Sequence, residues 1–267
     1  MAAMRLVCVG AVPKSKGMTR AILVLALLLA ACGPRNSRDG IDAACSEVSF
    51  EGSRFTVCRA RPDKHDLLLV DRGPDGKPMR NFDSLDDRLG TRFRQVAFAM
   101  NAGMFDAKGV PVGYYVEDGA QQVPLNTREG PGNFHMRPNG VFYGDARGWH
   151  VATTQSFAAG KPDHVRFATQ SGPMLVIGGK LHPQIADNGT SLQIRNGVGV
   201  SPDGSAWFAI SQEPVSFGRF ARLFRDRLGA PDALYLDGAV SRLWDPVAGR
   251  MDGGPDIGPI VVALQRK

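Results

Sequence analysis

Short apolar runs separated by turn residues recur along most of this chain, and this pattern restricts the possible folds more than any other feature. Each run has the length and composition of a β-strand. The 32 glycines and 18 prolines supply turns between the runs. We predict strands at residues 55–60, 67–70, 96–100, 113–116, 140–143, 164–169, 174–177, 198–200, 206–210, 233–236 and 260–264.

Helical patterns are few. The best covers residues 217–228, with Ser216 as the N-cap and Gly229 as the stop, and a weaker one covers residues 84–89. The longer helix leads through a short turn into strand 233–236, which we therefore expect in the centre of a sheet. The sequence predicts a single α+β (mixed α/β) domain with a strand-rich, twisted mixed sheet and few helices.

The N-terminal segment has the features of an export signal. Residues 21–31 are apolar and follow Lys14, Lys16 and Arg20, a pattern typical of a secretory signal and too short for a permanent membrane span. The segment ends in Leu-Ala-Ala-Cys32, which resembles the lipobox of bacterial lipoproteins. Ordinary cleavage within a run of alanines is the alternative.

The lipobox resemblance implies three parts: a signal peptide over residues 1–31, a flexible tether over 32–41 that begins at a lipidated Cys32, and a domain over 42–267. The protein is then expected to be exported and lipid-anchored in the bacterial cell envelope, facing the periplasm. Gly33 stands where an aspartate often marks retention in the inner membrane, and this favours the outer membrane.

The four cysteines divide between these parts. Cys8 lies in the predicted signal and Cys32 at the predicted lipid site, which leaves Cys45 and Cys58 to form a disulfide in a compartment that allows one. Such a bridge would staple the first hairpin. Two thiols without a neighbouring histidine are poor ligands for a tetrahedral metal site, so none is predicted here.

The charge balance argues against nucleic acid as a partner. The formal net charge is +6, but four basic residues lie in the predicted signal, so the mature chain would carry about +2. No cluster of lysine and arginine remains beyond the tether.

Four apolar strands end or begin with a polar residue beside a glycine. These segments are Asn101-Ala-Gly-Met-Phe, Ser171-Gly-Pro-Met-Leu, Arg195-Asn-Gly-Val-Gly-Val and Asp237-Gly-Ala-Val-Ser241. Each taken alone could be a simple turn. Together, and in this order, they resemble the phosphodiester glycosidase family over roughly residues 66–264.

The resemblance implies hydrolysis of a sugar-1-phosphodiester, with a glycan or sugar phosphate as the substrate. The leaving group is a stable phosphomonoester anion, so the site must mainly hold a phosphate and stabilise an oxocarbenium-like centre. We expect Arg195 to bind the phosphate and Asp237 to act as the catalytic carboxylate. Further candidates for substrate binding are Asn101, Gly103, Asn139, Ser171, Gly172, Gly238 and Ser241.

Several alternatives stay open at this stage. A second acid or base is not identified, although His135 and Glu213 are possible groups. The acidic, glycine-rich residues 245–256 could bind a divalent cation such as calcium, but a solvated loop is the simpler interpretation, so no cofactor and no metal ligand are assigned. Ala102 and residues 239–240 depart from the family pattern, which allows a non-catalytic glycan-binding lipoprotein as the other function. The sequence does not predict an oligomeric state.

Overall fold

The computed structural model describes residues 40–160, 162–237 and 240–267, which contain short strands and few helices. The predicted signal peptide, Cys32, most of the tether and Gly238 lie outside these residues. The described strands are β1 Cys45–Phe50, β2 Ser53–Ala60, β3 His65–Val70, β4 Val96–Asn101, β5 Tyr115–Glu117, β6 Ala120–Val123, β7 Gly140–Asp145, β8 Gly148–Thr153, β9 Phe167–Ser171, β10 Met174–Ile177, β11 Lys180–Leu181, β12 Asn196–Val200, β13 Ala206–Ser211, β14 Asp232–Tyr235, β15 Leu243–Asp245, β16 Arg250–Met251 and β17 Ile260–Gln265.

The described α-helices are short: α1 Leu85–Leu89, α2 Thr154–Gly160 and α3 Phe217–Arg222. A π-helical turn, Leu223–Arg227, continues α3. The side chain of Ser216 accepts a hydrogen bond from the Arg219 N–H, as expected of an N-cap, and Gly229 has a φ of +64° just after the last turn. The sequence prediction of a helix over 217–228 is therefore confirmed.

The strands form three sheets in which every described pairing is antiparallel. The large sheet has the order β1-β2-β13-β12-β14-β10-β11, the first small sheet β16-β15-β4-β17-β3, and the second small sheet β6-β5-β9-β7-β8. The predicted mixed sheet is thus wrong. Parallel neighbours need long, usually helical crossovers, and this chain joins most of its strands by short turns.

The three sheets share one apolar core. Phe208 of the large sheet lies 5.3 Å from Phe98 of the first small sheet and 5.6 Å from Phe142 of the second, measured between ring centroids. All three side chains are at most 1% exposed. This contact means that the ends of strands from different sheets are brought close together.

The other face of the large sheet is covered by α3 and its π-helical turn. Phe220, Leu223 and Phe224 pack there against Tyr235 of β14 and are fully buried. Strand β14 lies between β12 and β10, so the predicted central position of this strand is confirmed.

The predicted disulfide is present at the N-terminal edge. Cys45 and Cys58 are paired residues of the β1–β2 hairpin and are bonded to each other. Two residues of the predicted tether also contact the domain. The Gln265 side chain donates to the Gly40 carbonyl at 2.8 Å, and Ile41 packs against the core.

Within the residues that the structure describes, no helix combines the length and the apolar character that crossing a bilayer requires.

A buried carboxylate follows β3. Asp71 is 1% exposed, and neither of its carboxylate oxygens accepts a hydrogen bond from a residue that the structure describes, although the Arg72 Nε lies 3.4 Å from one of them. Burial raises the pKa of Asp71 to about 6; Arg72 opposes this shift, Glu117 adds to it, and Arg80 opposes it weakly. The Asp71 carboxyl therefore holds its proton more tightly in the folded state than in the unfolded chain.

Removing the disulfide should lower stability. The bridge closes a loop with a sequence separation of 13, for which restriction of the unfolded chain contributes about 3 kcal/mol. We expect Cys45→Ala/Cys58→Ala to lower the free energy of unfolding by about that amount in urea denaturation. Equal stability of the variant and the oxidised wild type would contradict this role.

Asp71 should make stability depend on pH. The pKa of Asp71 in the folded state lies above the unfolded value of about 3.8. The contribution of Asp71 to the free energy of unfolding is therefore complete below pH 4 and is lost as the pH rises to about 6. We expect Asp71→Asn to match the wild type at pH 4 and to be more stable by up to about 3 kcal/mol at pH 8. A constant difference across this range would show that Asp71 does not titrate as described.

Candidate active site

Polar residues at the ends of strands from all three sheets meet in one buried cluster. Asn101 is the last residue of β4, Ser171 the last of β9 and Asn196 the first of β12, while Asp237 follows β14 by two residues. Their exposed fractions are 1%, 0%, 0% and 4%. Burial of polar groups is costly unless they are hydrogen-bonded, so the partners of these side chains define the cluster.

The centre of the cluster is a pair of carboxamides. The Asn196 Nδ2 donates to the Asn101 Oδ1 at 3.0 Å and to the Asn101 main-chain carbonyl at 2.8 Å. The Asn101 side chain in turn donates to the Val240 carbonyl at 2.7 Å and accepts from the Arg242 N–H at 2.7 Å. This pair joins the first small sheet to the large sheet.

The main chain of Asp237 is held by two side chains of the cluster. Its N–H donates to the Asn196 Oδ1 at 2.9 Å, and its carbonyl accepts from the Ser241 Oγ at 3.0 Å. Ser171 joins from the second small sheet, because its hydroxyl donates to the carbonyl of Leu236. The position of Asp237 is thus fixed by residues from several strands.

Arg195 does not lie in this cluster, contrary to the sequence prediction. Its guanidinium is on the opposite side of the large sheet, where it is stacked 3.6 Å from the ring centroid of Phe217. It donates to the Val215 carbonyl at 2.8 Å, to the Tyr235 hydroxyl at 3.2 Å and to the Ser191 carbonyl at 2.8 Å. With an exposed fraction of 1% and these partners, Arg195 is placed to support the packing of α3 rather than to meet a phosphate.

The environment of Arg195 also changes the pKa of two groups. Burial lowers the pKa of the Arg195 guanidinium, and the neighbouring Tyr235 opposes this change. Burial raises the pKa of the Tyr235 hydroxyl to about 12; the Arg195 charge opposes this rise and the Asp237 charge adds to it. The Tyr235 hydroxyl therefore keeps its proton at neutral pH.

Sequence reasoning missed Asn196, the residue next to Arg195. Side chains alternate between the two faces of a strand, so neighbours such as Arg195 and Asn196 point in opposite directions. The sequence prediction selected the charged Arg195 and not the carboxamide of Asn196. The side chain of Arg195 lies on the face of the large sheet opposite the cluster. The sequence signal was the two-residue spacing of the apolar Val198 and Val200, which predicts that Asn196 lies on the same face of β12 as they do.

Two predicted glycines are required by packing within the protein. A Cβ on Gly103 would lie 2.8 Å from the Gln170 carbonyl and closer still to the Thr169 hydroxyl. A Cβ on Gly172 would lie 2.7 Å from both the Asn139 Cβ and the Phe134 carbonyl. Contacts this short are not tolerated, so both positions explain their glycine without a ligand.

Asn139 lines a second region, separate from the carboxamide pair. Its side chain donates to the Phe134 carbonyl at 2.8 Å. A cavity of about 580 Å³ lies beside it, and threonine, glutamine and arginine residues contribute to its lining. The residues concerned are Thr127, Arg137, Pro138, Asn139, Thr153, Thr154, Gln155 and Ala158.

Another cavity, of about 550 Å³, lies beside Ser241 and hence beside the cluster. We call it the Ser241 cavity. Its lining includes two carboxylates, an arginine and several smaller polar groups. The residues are Glu47, Ile194, Ile210, Ser211, Gln212, Ser241, Arg250, Asp252 and Gly253.

The polar groups of the Ser241 cavity already contact one another. Arg250 donates to both carboxylate oxygens of Asp252 at 2.8 Å and to the Thr56 hydroxyl at 2.7 Å. Gln212 donates to Glu47 at 2.9 Å. Glu47 and Asp252 are the carboxylates that the structure adds to the candidates for a second acid or base.

The two acid–base candidates from the sequence lie elsewhere. Glu213 accepts from the Arg54 N–H at 2.7 Å, and the Arg54 guanidinium lies 3.4 Å from its other oxygen. The His135 Nδ1 lies 3.1 Å from the Arg128 carbonyl. Neither contacts the carboxamide pair, and both have local structural partners.

The acidic loop at 245–256 does not gather its carboxylates. Asp245 accepts main-chain N–H groups of residues 247 and 248, Asp252 pairs with Arg250, and Asp256 lies 3.9 Å from the Arg80 Nε. In residues 40–160, 162–237 and 240–267, no group of three or more His, Cys, Asp or Glu side chains is placed to hold a metal ion.

Comparison with known proteins identifies relatives of this chain. An uncharacterized protein of Escherichia coli K12, YigE, is 43% identical over 152 residues, or 56% of this chain. The aligned region spans 58% of the length of YigE.

Two solved structures share the fold. The catalytic domain of zebrafish N-acetylglucosamine-1-phosphodiester alpha-N-acetylglucosaminidase, auto-inhibited by its pro-peptide, has a TM-score of 0.54 at 14% identity over 84% of this chain and 82% of that chain. A hypothetical protein from Synechocystis has a TM-score of 0.51 at 13% identity over 83% and 61%. The family model for phosphodiester glycosidase matches residues 94–245, which is more than half of the sequence, and this chain belongs to that family.

Proposed function

We propose that this protein is an exported, lipid-anchored hydrolase that cleaves a sugar-1-phosphodiester in the cell envelope. Family membership supports the reaction class. The apolar N-terminal segment that ends at Cys32 supports export and a lipid anchor facing the periplasm, in the outer membrane. A glycan or its sugar-phosphate precursor is the substrate class, and the membrane is reached through the lipid.

The observation that carries the proposal is the way Asp237 is held. Asn196 and Ser241 fix both main-chain polar groups of Asp237, and Ser241 also lines a cavity. Because both main-chain polar groups of Asp237 are held, the point from which its carboxylate extends is fixed, and preorganisation of this kind favours transition-state stabilisation. Asn101 and Ser171 position the chain on either side of Asp237. Their side chains donate to the carbonyls of Val240 and Leu236, respectively.

The reaction needs little more than charge stabilisation and positioning. The bond between the sugar C1 and the phosphate oxygen breaks, and the phosphomonoester leaves with the bonding electrons. Water then supplies hydroxide to C1 and one proton to the solution. The Asp237 carboxylate stabilises the positive charge at C1, or attacks C1 in a retaining pathway. Protonation of the leaving group is not required, because the phosphomonoester leaves as a stable anion.

A second candidate is a lipoprotein that binds the same ligand without cleaving it. The observation in its favour is the burial of Asn101, Ser171 and Asn196, whose polar atoms are hydrogen-bonded within the protein. These residues would then shape the cavity wall and not contact the sugar. Tight binding of an intact sugar-1-phosphodiester without release of sugar would identify this function.

Asp237→Asn tests the hydrolase. The full chain, purified in detergent, is incubated with a panel of sugar-1-phosphodiesters, and release of free sugar is measured. We expect cleavage by the wild type and a fall in kcat of about 100-fold or more in Asp237→Asn, since a carboxamide cannot stabilise developing positive charge as a carboxylate does. Substrate binding should change much less than kcat.

Asp226→Asn is the matched control. Asp226 is a surface carboxylate that pairs with Arg225 on the π-helical turn, so its loss should leave kcat unchanged. The absence of cleavage of any substrate by the wild type would contradict the proposed hydrolase. An Asp237→Asn enzyme as active as the wild type would contradict the role of Asp237.

A further inference from the structure

Arg242 lies at the cluster, directly before β15, the strand that pairs with β4. Leu243 pairs with Met100, which places Arg242 opposite Asn101. The Arg242 N–H donates to the Asn101 Oδ1 at 2.7 Å, and its carbonyl accepts from the Asn101 N–H at 3.3 Å. Arg242 directly follows Ser241, the residue that lines the cavity. Its main chain is therefore fixed by the same carboxamide pair that holds Asp237.

The guanidinium of Arg242 is buried, and no residue that the structure describes supplies it with a charged partner. The residue is 4% exposed, and its Nε is fully buried with no hydrogen bond. No carboxylate of the described residues lies within 4.0 Å of its nitrogens. A buried cation that lacks a counterion destabilises a fold, so such a group is retained for a reason other than stability.

The other buried or half-buried arginines show how unusual this is. Arg195 is equally buried but donates to two carbonyls and a hydroxyl and is stacked on Phe217. Arg222 donates to both oxygens of Glu51 at 2.7 and 2.6 Å. The Nε of Arg219 also lacks a hydrogen bond, but a Glu51 carboxylate oxygen lies 3.7 Å from it. Among the described residues, the Nε of Arg242 has neither a hydrogen bond nor a carboxylate nearby.

Glycine residues leave one flank of Arg242 free of side chains. A Cβ on Gly254 would lie 3.4 Å from the Arg242 Nη2 and 3.6 Å from its Nε, so the guanidinium lies directly beside this glycine. Gly254 has a φ of +129°, which strongly favours glycine. Its neighbour Gly253 lines the Ser241 cavity. The glycine beside the guanidinium therefore directly follows a residue of the cavity lining.

We propose that Arg242 is the anion-binding residue of this site and that it recognises a phosphate group. The planar guanidinium can donate two parallel hydrogen bonds to two phosphate oxygens, and a bound phosphate supplies the missing counterion. The identity of the anion as the phosphate of a sugar-1-phosphodiester rests on the proposed function. In that reaction Arg242 holds the leaving group while Asp237 faces the sugar.

Binding of inorganic phosphate tests the proposal directly. The full chain in detergent is titrated with phosphate at constant ionic strength, with chloride as the reference salt, and melting temperature and Kd are measured. We expect phosphate to raise the melting temperature of the wild type and Arg242→Gln to raise the Kd at least tenfold. Without phosphate, Arg242→Gln should melt at or above the wild-type temperature, because the uncompensated charge is gone.

Two further variants separate a specific phosphate contact from a general effect of positive charge. Arg242→Lys retains the charge but not the planar fork, and we expect weaker binding than in the wild type with the fold retained. Arg225→Gln removes a surface arginine that pairs with Asp226 and should bind phosphate normally. Wild-type affinity in both Arg242 variants, or a melting temperature of Arg242→Gln well below that of the wild type without phosphate, would overturn the proposal.

Kinetics separates this inference from the proposed hydrolysis. If the wild type cleaves a sugar-1-phosphodiester, Arg242→Gln should raise KM at least tenfold for it while cleavage of a neutral aryl glycoside of the same sugar changes little. An unchanged KM would overturn the role of Arg242 and leave the hydrolase standing. Arg242-dependent phosphate binding without any cleavage would retain the anion site and contradict the hydrolase.

Discussion

The hydrogen bonds between the carboxamides of Asn101 and Asn196 are the interaction on which the candidate site depends. Each of the two side chains uses both its oxygen and its nitrogen, and together they join β4 of the first small sheet to β12 of the large sheet. The segment that carries Asp237, Ser241 and Arg242 is bonded to this pair at both ends. A buried network with every group satisfied fixes one arrangement, because any shift leaves a polar atom without a partner.

Two arginines illustrate how position decides the role of a charge. Arg195 and Arg242 are both almost fully buried, yet Arg195 is surrounded by carbonyls, a hydroxyl and an aromatic face, while the Nε of Arg242 has no partner. The first guanidinium contributes to the packing of α3 on the large sheet. The second belongs to a residue whose main chain is held by the carboxamide pair, and an anionic ligand would compensate its charge.

Local patterns predicted much of this fold, and residue pairing across the sheets accounts for what they missed. Apolar runs such as residues 96–100 and 174–177 identified strands β4 and β10 almost to the residue, and the cap at Ser216 identified α3. Strand β8 was missed because its residues alternate between buried and half-exposed positions. The meeting of Asn101, Ser171 and Asp237 was predicted from a family resemblance. The prediction for Arg195 did not take account of the alternation of side chains at the start of β12, which places Arg195 on the face opposite Asn196.

Asn101 and Asn196 act as one coupled unit that holds the candidate site together. A double-mutant cycle with Asn101→Ala, Asn196→Ala and the double variant measures this coupling through the free energy of unfolding in urea. Each single variant should lose about 1–3 kcal/mol because it leaves a buried partner unsatisfied. The double variant should lose less than the sum of the two, with a coupling energy of about 1 kcal/mol or more. Losses that simply add would contradict the account.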